Sequence, residues 1–393
     1  MKKYIFFIVL TFTISCIEKG DTEYITVHPA QEYMPYSSFE PVKLEARYGG
    51  DFLHLLPKNV QILYNILNNE SGNLKPEELQ ILTTNDIDVK SINKSDLLIL
   101  EKDNARLIQY SLIDNEYDII ADKGRGPGDL FFPKELTVYK EKAFVGMQAF
   151  QISFFLCDGV FCEYENTLNT KFNNYSIAPV DDFIKFLGIK PFGREQHPDP
   201  SNTDQNLIHK IDYNGEIYQS YFPVYDYRSS LVRQTMNSGG QIRSFPELET
   251  IVITFDFFPY VYVFNDSGEL NAKYEFPEYI QAYYESEENR AGGFTGRYIF
   301  DSSVTSIRFT SKIDEKWMLV GIRDRREVEF ISMEEGFDGY EWFSYYAFDV
   351  EEKKIYKIGD DTEKPYGESR ILHVVDNGVV INEAGTLFFI SDS

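Results

Sequence analysis

One motif, written five times, constrains this chain more than any other feature. An apolar, aromatic-rich run meets a turn containing Asp, Asn or Gly, and a second such run follows. The copies are LIQYSLIDNEYDII (107–120), ISFFLCDGVFCEY (152–164), LIHKIDYNGEIYQSYF (207–222), VYVFNDSGELNAKYEF (261–276) and YYAFDVEEKKIYKI (345–358). Asn-Gly, Asp-Gly and Ser-Gly supply the positive φ angles that tight hairpins require. The flanking Tyr, Phe, Ile and Val suit a pleated, half-buried surface. Each copy therefore reads as a β-hairpin. Another short strand precedes four of them, at 96–103, 142–148, 250–257 and 316–324.

Three or four strands per unit, recurring every few tens of residues, is the pattern of a propeller blade. Turn positions Asp114, Asp158, Asn214 and Ser267 are separated by 44, 56 and 53 residues, and Glu351 follows after 84, so an insertion is expected between Glu278 and Ser303. Helical periodicity is scarce, with 58–68 the best exception. The C-terminal RILHVVDNGVVINEAGTLFFISDS reads as three strands with turns at Asn377-Gly378 and Ala384-Gly385. That is a blade lacking its last strand. A ring of sheets must close, because free strand edges invite aggregation. The missing strand is expected between Val42 and Thr83, with NVQILYNIL and ELQILTT as candidates. Five hairpins and this composite give the expected fold: all-β, a six-bladed β-propeller of four-stranded antiparallel blades, closed by an N-terminal strand.

The glycine-rich DKGRGPGDLFFP (122–133) poses a choice between a phosphate cradle and a joint between blades. A Walker loop needs Gly-Lys-Ser/Thr opening a helix, and a dinucleotide fingerprint needs a helix within a βαβ unit. Neither context is present. Pro127-Gly128 instead fits the two central positions of a type II turn, which makes the stretch a joint.

At the N-terminus, Met1-Lys2-Lys3 is a basic segment, and YIFFIVLTFTI (4–14) is too short to span a bilayer as a resident helix, so a secretory signal is expected. TISC, ending at Cys16, resembles the lipobox of bacterial lipoproteins, although Thr13 stands where that family prefers Leu. The resemblance implies lipidation of Cys16 after cleavage. The expected organisation is a signal peptide at 1–15, a polar tether at 16–40 and one propeller domain at 41–393. Localisation follows as exported and lipid-anchored in the bacterial envelope, on the periplasmic face or the outer-membrane surface.

GRGPGDLFFP followed by AFVGMQAFQISFFLCDGVF resembles the Gly-x-Gly-Pro-Gly-Glu-Phe…Pro pattern of NHL-type and TolB-like six-bladed propellers. More narrowly, it is similar to the propeller lipoproteins of Bacteroidetes. LLILEKDNARLIQYSL keeps the Asn, Arg and aliphatic of that family's turn at Asn104, Arg106 and Leu107, whereas the corresponding turn in the next unit, 147–152, has lost Asp, Asn and Arg. The clear likeness covers about 96–164. It implies the fold, the compartment and a bracing role for Arg106 between blades; it brings no reaction with it.

The net charge of −25 argues against nucleic acid and anionic lipid as partners and favours a soluble monomer, touching the membrane only through its anchor. The five histidines lack metal spacing, no serine-hydrolase elbow is present, and no metal or cofactor is expected. Asp199 and Asp204 in HPDPSNTDQN offer oxygens but not the EF-hand spacing, so a solvated loop is the preferred reading. Cys157 and Cys162 would lie diagonally across a two-residue turn or opposite each other across a four-residue turn, and only the latter places them for a bridge.

The candidate ligand-binding residues are Trp342, Tyr340 and Tyr345 in GFDGYEWFSYYAF, where aromatic stacking competes with core packing. Arg323 and Arg325 in IRDRREVEF join them, as an anion-binding rim or as partners of nearby carboxylates. The segment 283–298 reads as a loop over one face, where propellers place specificity. A binding or scaffold module for a small molecule, glycan or envelope protein is the expected function. The alternative is a hydrolase or lactonase-like enzyme using the central channel, since sites drawing one residue from each blade leave no linear motif.

Overall fold

The computed structural model describes residues 24–27, 35–68, 76–84, 86–148, 150–158, 161–190, 205–226, 237, 239–277, 284–287, 304–332, 336–361, 363–365, 371–383 and 385–391. Cys16, Asp199, Asp204 and most of 283–298 lie outside them.

Six four-stranded antiparallel sheets form a ring, a six-bladed β-propeller. Blade 1 is Ile87–Ser91, Asp96–Glu101, Arg106–Ser111 and Glu116–Ala121, and blade 2 is Pro133–Tyr139, Lys142–Met147, Gln151–Cys157 and Cys162–Asn169. Blade 3 is Asn173–Pro179, Phe183–Ile189, Asn206–Asp212 and Ile217–Pro223, and blade 4 is Gly240–Phe245, Thr250–Phe255, Tyr260–Asn265 and Leu270–Glu275. Blade 5 is Val304–Lys312, Trp317–Ser332, Gly336–Asp349 and Lys354–Asp360. Blade 6 takes Ile371–Val375, Gly378–Glu383 and Thr386–Ser391 from the C-terminus and Glu77–Leu82 from the N-terminal region. In every blade the first-named strand is innermost. The five hairpins in the sequence are the outer halves of blades 1 to 5.

Strand composition follows position in the ring. Leu97, Leu98, Ile99 and Leu100, in the second strand of blade 1, are fully buried because sheets cover both faces. Glu116–Ala121, the outermost strand, is mostly exposed. Six apolar clusters fill the six inter-blade spaces. Leu100, Val145 and Phe155 meet between blades 1 and 2, for example, and Ile81, Leu97 and Tyr110 between blades 6 and 1. Burying each such side chain stabilises by about 1.5–3 kcal/mol, so the ring is held chiefly by sheet-on-sheet packing.

Of the two closure candidates, ELQILTT supplies the strand: Glu77–Leu82 pairs antiparallel with Thr386–Ser391. NVQILYNIL belongs to an α-helix, Lys58–Leu67. Val60, Leu63 and Tyr64 fall at i, i+3 and i+4, a helical spacing, and all three are buried against blades 5 and 6. Asn68 ends the helix, its amide donating to the Tyr64 carbonyl at 2.8 Å and the Ile358 carbonyl at 2.9 Å. Two-residue strands Val42–Lys43 and Ala46–Arg47 add in parallel to the outer edges of blades 4 and 5. Tyr36 packs on Phe222 and Phe264 at 5.3 and 5.6 Å, so the chain joins the propeller ahead of the expected boundary at 41.

The Asp129 N–H donates to the Gly126 carbonyl at 3.1 Å with Gly128 at φ 84°, the type II arrangement, and Pro133 then starts the inner strand of blade 2. The Asp129 carboxylate also accepts the Gly126 N–H at 2.7 Å. Cys157 and Cys162 face each other across a four-residue turn and form a disulfide. Arg106 ion-pairs with the buried Glu101, whose other oxygen accepts the Thr84 N–H at 3.2 Å. The bracing is thus indirect, from blade 1 to the chain leaving the closure strand.

Gly128 tests the joint. A Cβ there would lie 3.1 Å from the Tyr164 ring and force a side-chain residue to φ 84°. Gly128→Ala is expected to lower the unfolding free energy by about 1–3 kcal/mol in urea titration. An unchanged midpoint would mean that the joint tolerates other conformations.

Candidate functional site

Each inner strand pairs with a neighbour on one side only, so its other edge faces the propeller axis. Backbone N–H groups on that edge need acceptors. The preceding blade supplies them. Asp88 Oδ2 accepts the Leu136 N–H at 3.0 Å, Glu135 Oε2 the Ile177 N–H at 2.6 Å, and Ser176 Oγ the Ile242 N–H at 3.1 Å. Gln241 Oε1 accepts both the N–H of Thr310 and, at 2.9 Å, its hydroxyl. Four successive junctions, from blade 1 to blade 5, are tied in this way.

Two of these acceptors are carboxylates, and buried carboxylates need counter-charge. Arg243 of blade 4 meets Glu135 of blade 2 at 2.7 Å across the axis. Its other donors go to the Thr310 carbonyl (3.1 Å from Nε), Ser176 Oγ (3.1 Å) and the Ile242 carbonyl (2.7 Å), which saturates the guanidinium. Lys102 lies 2.9 Å from Asp88 and 3.0 Å from Asp86. Burial alone would raise the Asp88 carboxyl, but Lys102 and then Lys90 bring it below the usual carboxylate range. Arg308 pairs with Asp256 at 3.6 Å. There burial prevails and pushes the Asp256 carboxyl up, against the pull of Arg308 and Arg323.

The channel has a mouth of about 650 Å³ where the inner strands begin and a smaller one of about 450 Å³ where they end. Lys90, Arg243, Ser311 and Val374 line both and mark the waist. Phe132 stands at the rim of the wider mouth, 60% exposed and held at φ 50°, a conformation rare for an aromatic residue. Tyr175 and His373 line the same cavity. Burial pushes the Tyr175 hydroxyl up to about 12 and lowers His373 to about 4. His373 Nε2 is enclosed and, among the described residues, meets no hydrogen-bond partner. Among the described residues, no group of three or more His, Cys, Asp or Glu side chains is placed to hold a metal.

The residues singled out in the sequence do not converge on one platform. Tyr345 is fully buried in the cluster between blades 5 and 6, its hydroxyl accepting the Leu372 N–H at 3.2 Å. It is a core residue, because the pleat turns alternate aromatics inward. Tyr340 is 47% exposed and Trp342 half-buried. Arg323 is half-buried opposite Phe343 in the strand pairing and close enough to act on Asp256; Arg325 pairs in register with Glu341.

The channel residues themselves left no motif, since each blade gives one or two. A faint signal exists. A polar residue followed by an aliphatic one opens successive units, at Asp88-Val89, Glu135-Leu136, Ser176-Ile177 and Gln241-Ile242.

No protein-family model matches the chain, and no curated protein matches it. Among solved structures, it is similar to a Bacteroides fragilis protein named for its expected export, with a TM-score of 0.52 and 13% identity over 81% of this chain and 95% of that one. It is also similar to a DUF4221-family member from Bacteroides vulgatus, with a TM-score of 0.49 and 12% identity over 81% and 97% of the two chains. At such identities the likeness is one of fold.

Two outcomes test this geometry. Arg243→Leu strands the Glu135 carboxylate in the channel and should cost about 3–5 kcal/mol of stability, most of it recovered when Glu135→Gln is added. Full additivity in that double-mutant cycle would refute the pairing. His373 gives a pH signature. Its folded-state proton affinity lies below that of the unfolded chain, so between pH 6.5 and about 4 the unfolded state binds more protons. Stability is complete above pH 6.5 and declines as pH falls through that window, by on the order of 3 kcal/mol from this group. His373→Gln should flatten that part of the profile in urea titrations at successive pH values.

Proposed function

We propose that this protein is an exported, lipid-anchored propeller that works as a binding module, receiving a small polar ligand at the wider mouth of its axial channel. The observation that carries the reading is the cavity of about 650 Å³, a size suited to a small ligand, to which all six blades contribute lining residues. Phe132 supports it: an exposed aromatic in a strained backbone conformation at a rim gains little from the fold, and such strain concentrates at functional sites.

Export and anchoring through Cys16 rest on the signal-like N-terminus and lipobox resemblance. The Cys157–Cys162 disulfide, of a kind that persists in oxidising compartments, and the expected export of the Bacteroides fragilis neighbour agree with that reading.

An enzyme of hydrolase or lactonase type is the second reading, favoured by one observation. Two carboxyls of the same cavity are displaced in opposite directions, Asp256 upward and Asp88 downward, as an acid and a base would be. Product formation from the bound ligand would favour it over a binding module.

A thermal-shift screen of sugars, sugar acids, amino acids and nucleotides, followed by calorimetry, should yield a ligand that raises the melting temperature. Phe132→Ala should weaken its binding by about tenfold, roughly 1.4 kcal/mol, without altering the fold. A ligand that bound the variant equally well would place the site elsewhere. For the anchor, mass spectrometry of detergent-extracted protein should find Cys16 as a lipidated N-terminus, and Cys16→Ser should release the protein into the soluble fraction.

A further inference from the structure

We propose that the waist of the channel is an oxyanion site, in which the Lys90 ammonium and the Ser311 hydroxyl bind the carboxylate or phosphate of a ligand whose body rests in the wider mouth beside the His373 ring. The proposal rests on the binding-module reading and names its chemical class.

Lys90 lies where several blades meet. Its side chain leaves the inner strand of blade 1 and reaches Ser311 Oγ on blade 5 at 3.2 Å. The ammonium also feels Arg243 of blade 4 and Glu135 of blade 2, so it sits close to the axis. An ammonium carries three donors, and this one spends a single donor on a neutral hydroxyl.

Arg243, Lys102 and Arg308 each have a carboxylate within 4 Å. Among the described residues, no carboxylate comes that close to Lys90. Lys90 is half-buried, and its charged form is disfavoured first by burial and then by the Arg243 guanidinium, against the pull of Asp88 and Glu135 from beyond ion-pair distance. A largely desolvated ammonium with no carboxylate in contact is costly unless something compensates it. An anion entering by the channel would supply that contact.

The ring of inter-blade bonds has a gap. Side chain-to-backbone ties of the Asp88 kind run from blade 1 to blade 5. On the inner strand of blade 6 the corresponding region carries His373, with its enclosed Nε2 unpartnered among the described residues. His373 is neutral at ordinary pH and so brings no charge to compete with Lys90. It lines the same cavity as Lys90 and Ser311 and lies near enough to Lys90 to feel its charge. The Lys90 ammonium, with donors to spare, and the neutral His373 ring therefore gather in one sector of the wider mouth. The net charge of −25 opposes the approach of anions in general, so a local cation cluster is needed to hold one.

Calorimetry at pH 7 with acetate, inorganic phosphate, galacturonate and galactose tests the proposal on the full exported domain. At least one of the three anions should bind, and Lys90→Met should weaken it by about tenfold or more. Urea titration controls for folding: Lys90→Met gives up the Ser311 bond but also the cost of desolvating the ammonium, and a cooperative transition with a midpoint near the parent's is expected. Binding of acetate or galacturonate without phosphate identifies a carboxylate site; the converse identifies a phosphate site. If galactose binds as tightly as galacturonate and Lys90→Met changes neither, the oxyanion site is refuted while the binding module stands. Failure of all three anions to bind at millimolar concentration refutes it as well.

Discussion

The constraint on which this structure depends is the unpaired inner edge of each sheet. A ring of twisted sheets can bury its faces against one another, but the strand nearest the axis always has one side without a neighbour. Water can satisfy that edge only at the two mouths. Deeper in, the chain must provide its own acceptors, and Asp88, Glu135, Ser176 and Gln241 are those acceptors. Once two of them are carboxylates, Arg243 and Lys102 follow, because a buried carboxylate without a cation would cost more than its hydrogen bond returns. The charged channel of an acidic protein is thus first a consequence of closing the ring.

The outer edges face a different problem, and the N-terminal region addresses it. Short strands at Val42–Lys43 and Ala46–Arg47 cover the edges of blades 4 and 5, and Glu77–Leu82 completes blade 6. Because that last blade joins residues from both parts of the chain, the ring closes only when N- and C-terminal segments meet. Leu79 and Ile81 then sit in the same cluster as Val89, Leu97 and Val380, so closure and packing of the adjoining blade are one event.

This division explains what could be read in the sequence. Outer hairpins were legible because their turns carry Gly or Asn and their strands alternate, as in LIQYSLIDNEYDII and VYVFNDSGELNAKYEF. Inner strands were not, because residues such as Asp88, Lys90, Glu135 and Arg243 interrupt the apolar pattern to satisfy the axis. The second strand of blade 3, Phe183–Ile189, also escaped notice, since the long segment before Asn206 separates it from its hairpin. Two apolar runs competed for the closure strand; the 3.6-residue spacing of Val60, Leu63 and Tyr64 marks the one that became a helix. Aromatic density drew attention to 336–348, but density does not say which face of a pleat a residue occupies. Tyr345 went to the core and Tyr340 to the surface.

The same logic locates freedom within the channel. At four junctions the inner-strand polar groups are committed to the neighbouring backbone, and changing them would loosen the ring. Around blade 6, the backbone is held by other means: Tyr345 receives the Leu372 N–H, and Ser91 the Asp376 N–H at 3.0 Å. Those contacts leave His373 Nε2 without a partner among the described residues and the Lys90 ammonium with one bond, to Ser311 Oγ of blade 5. Polar groups that the fold uses only in part, yet that are costly to bury, are the ones a fold could discard with little loss of stability. Their presence together, in the sector where the ring is completed, is the strongest physical reason to look for a ligand on the axis rather than on the outer aromatic surface.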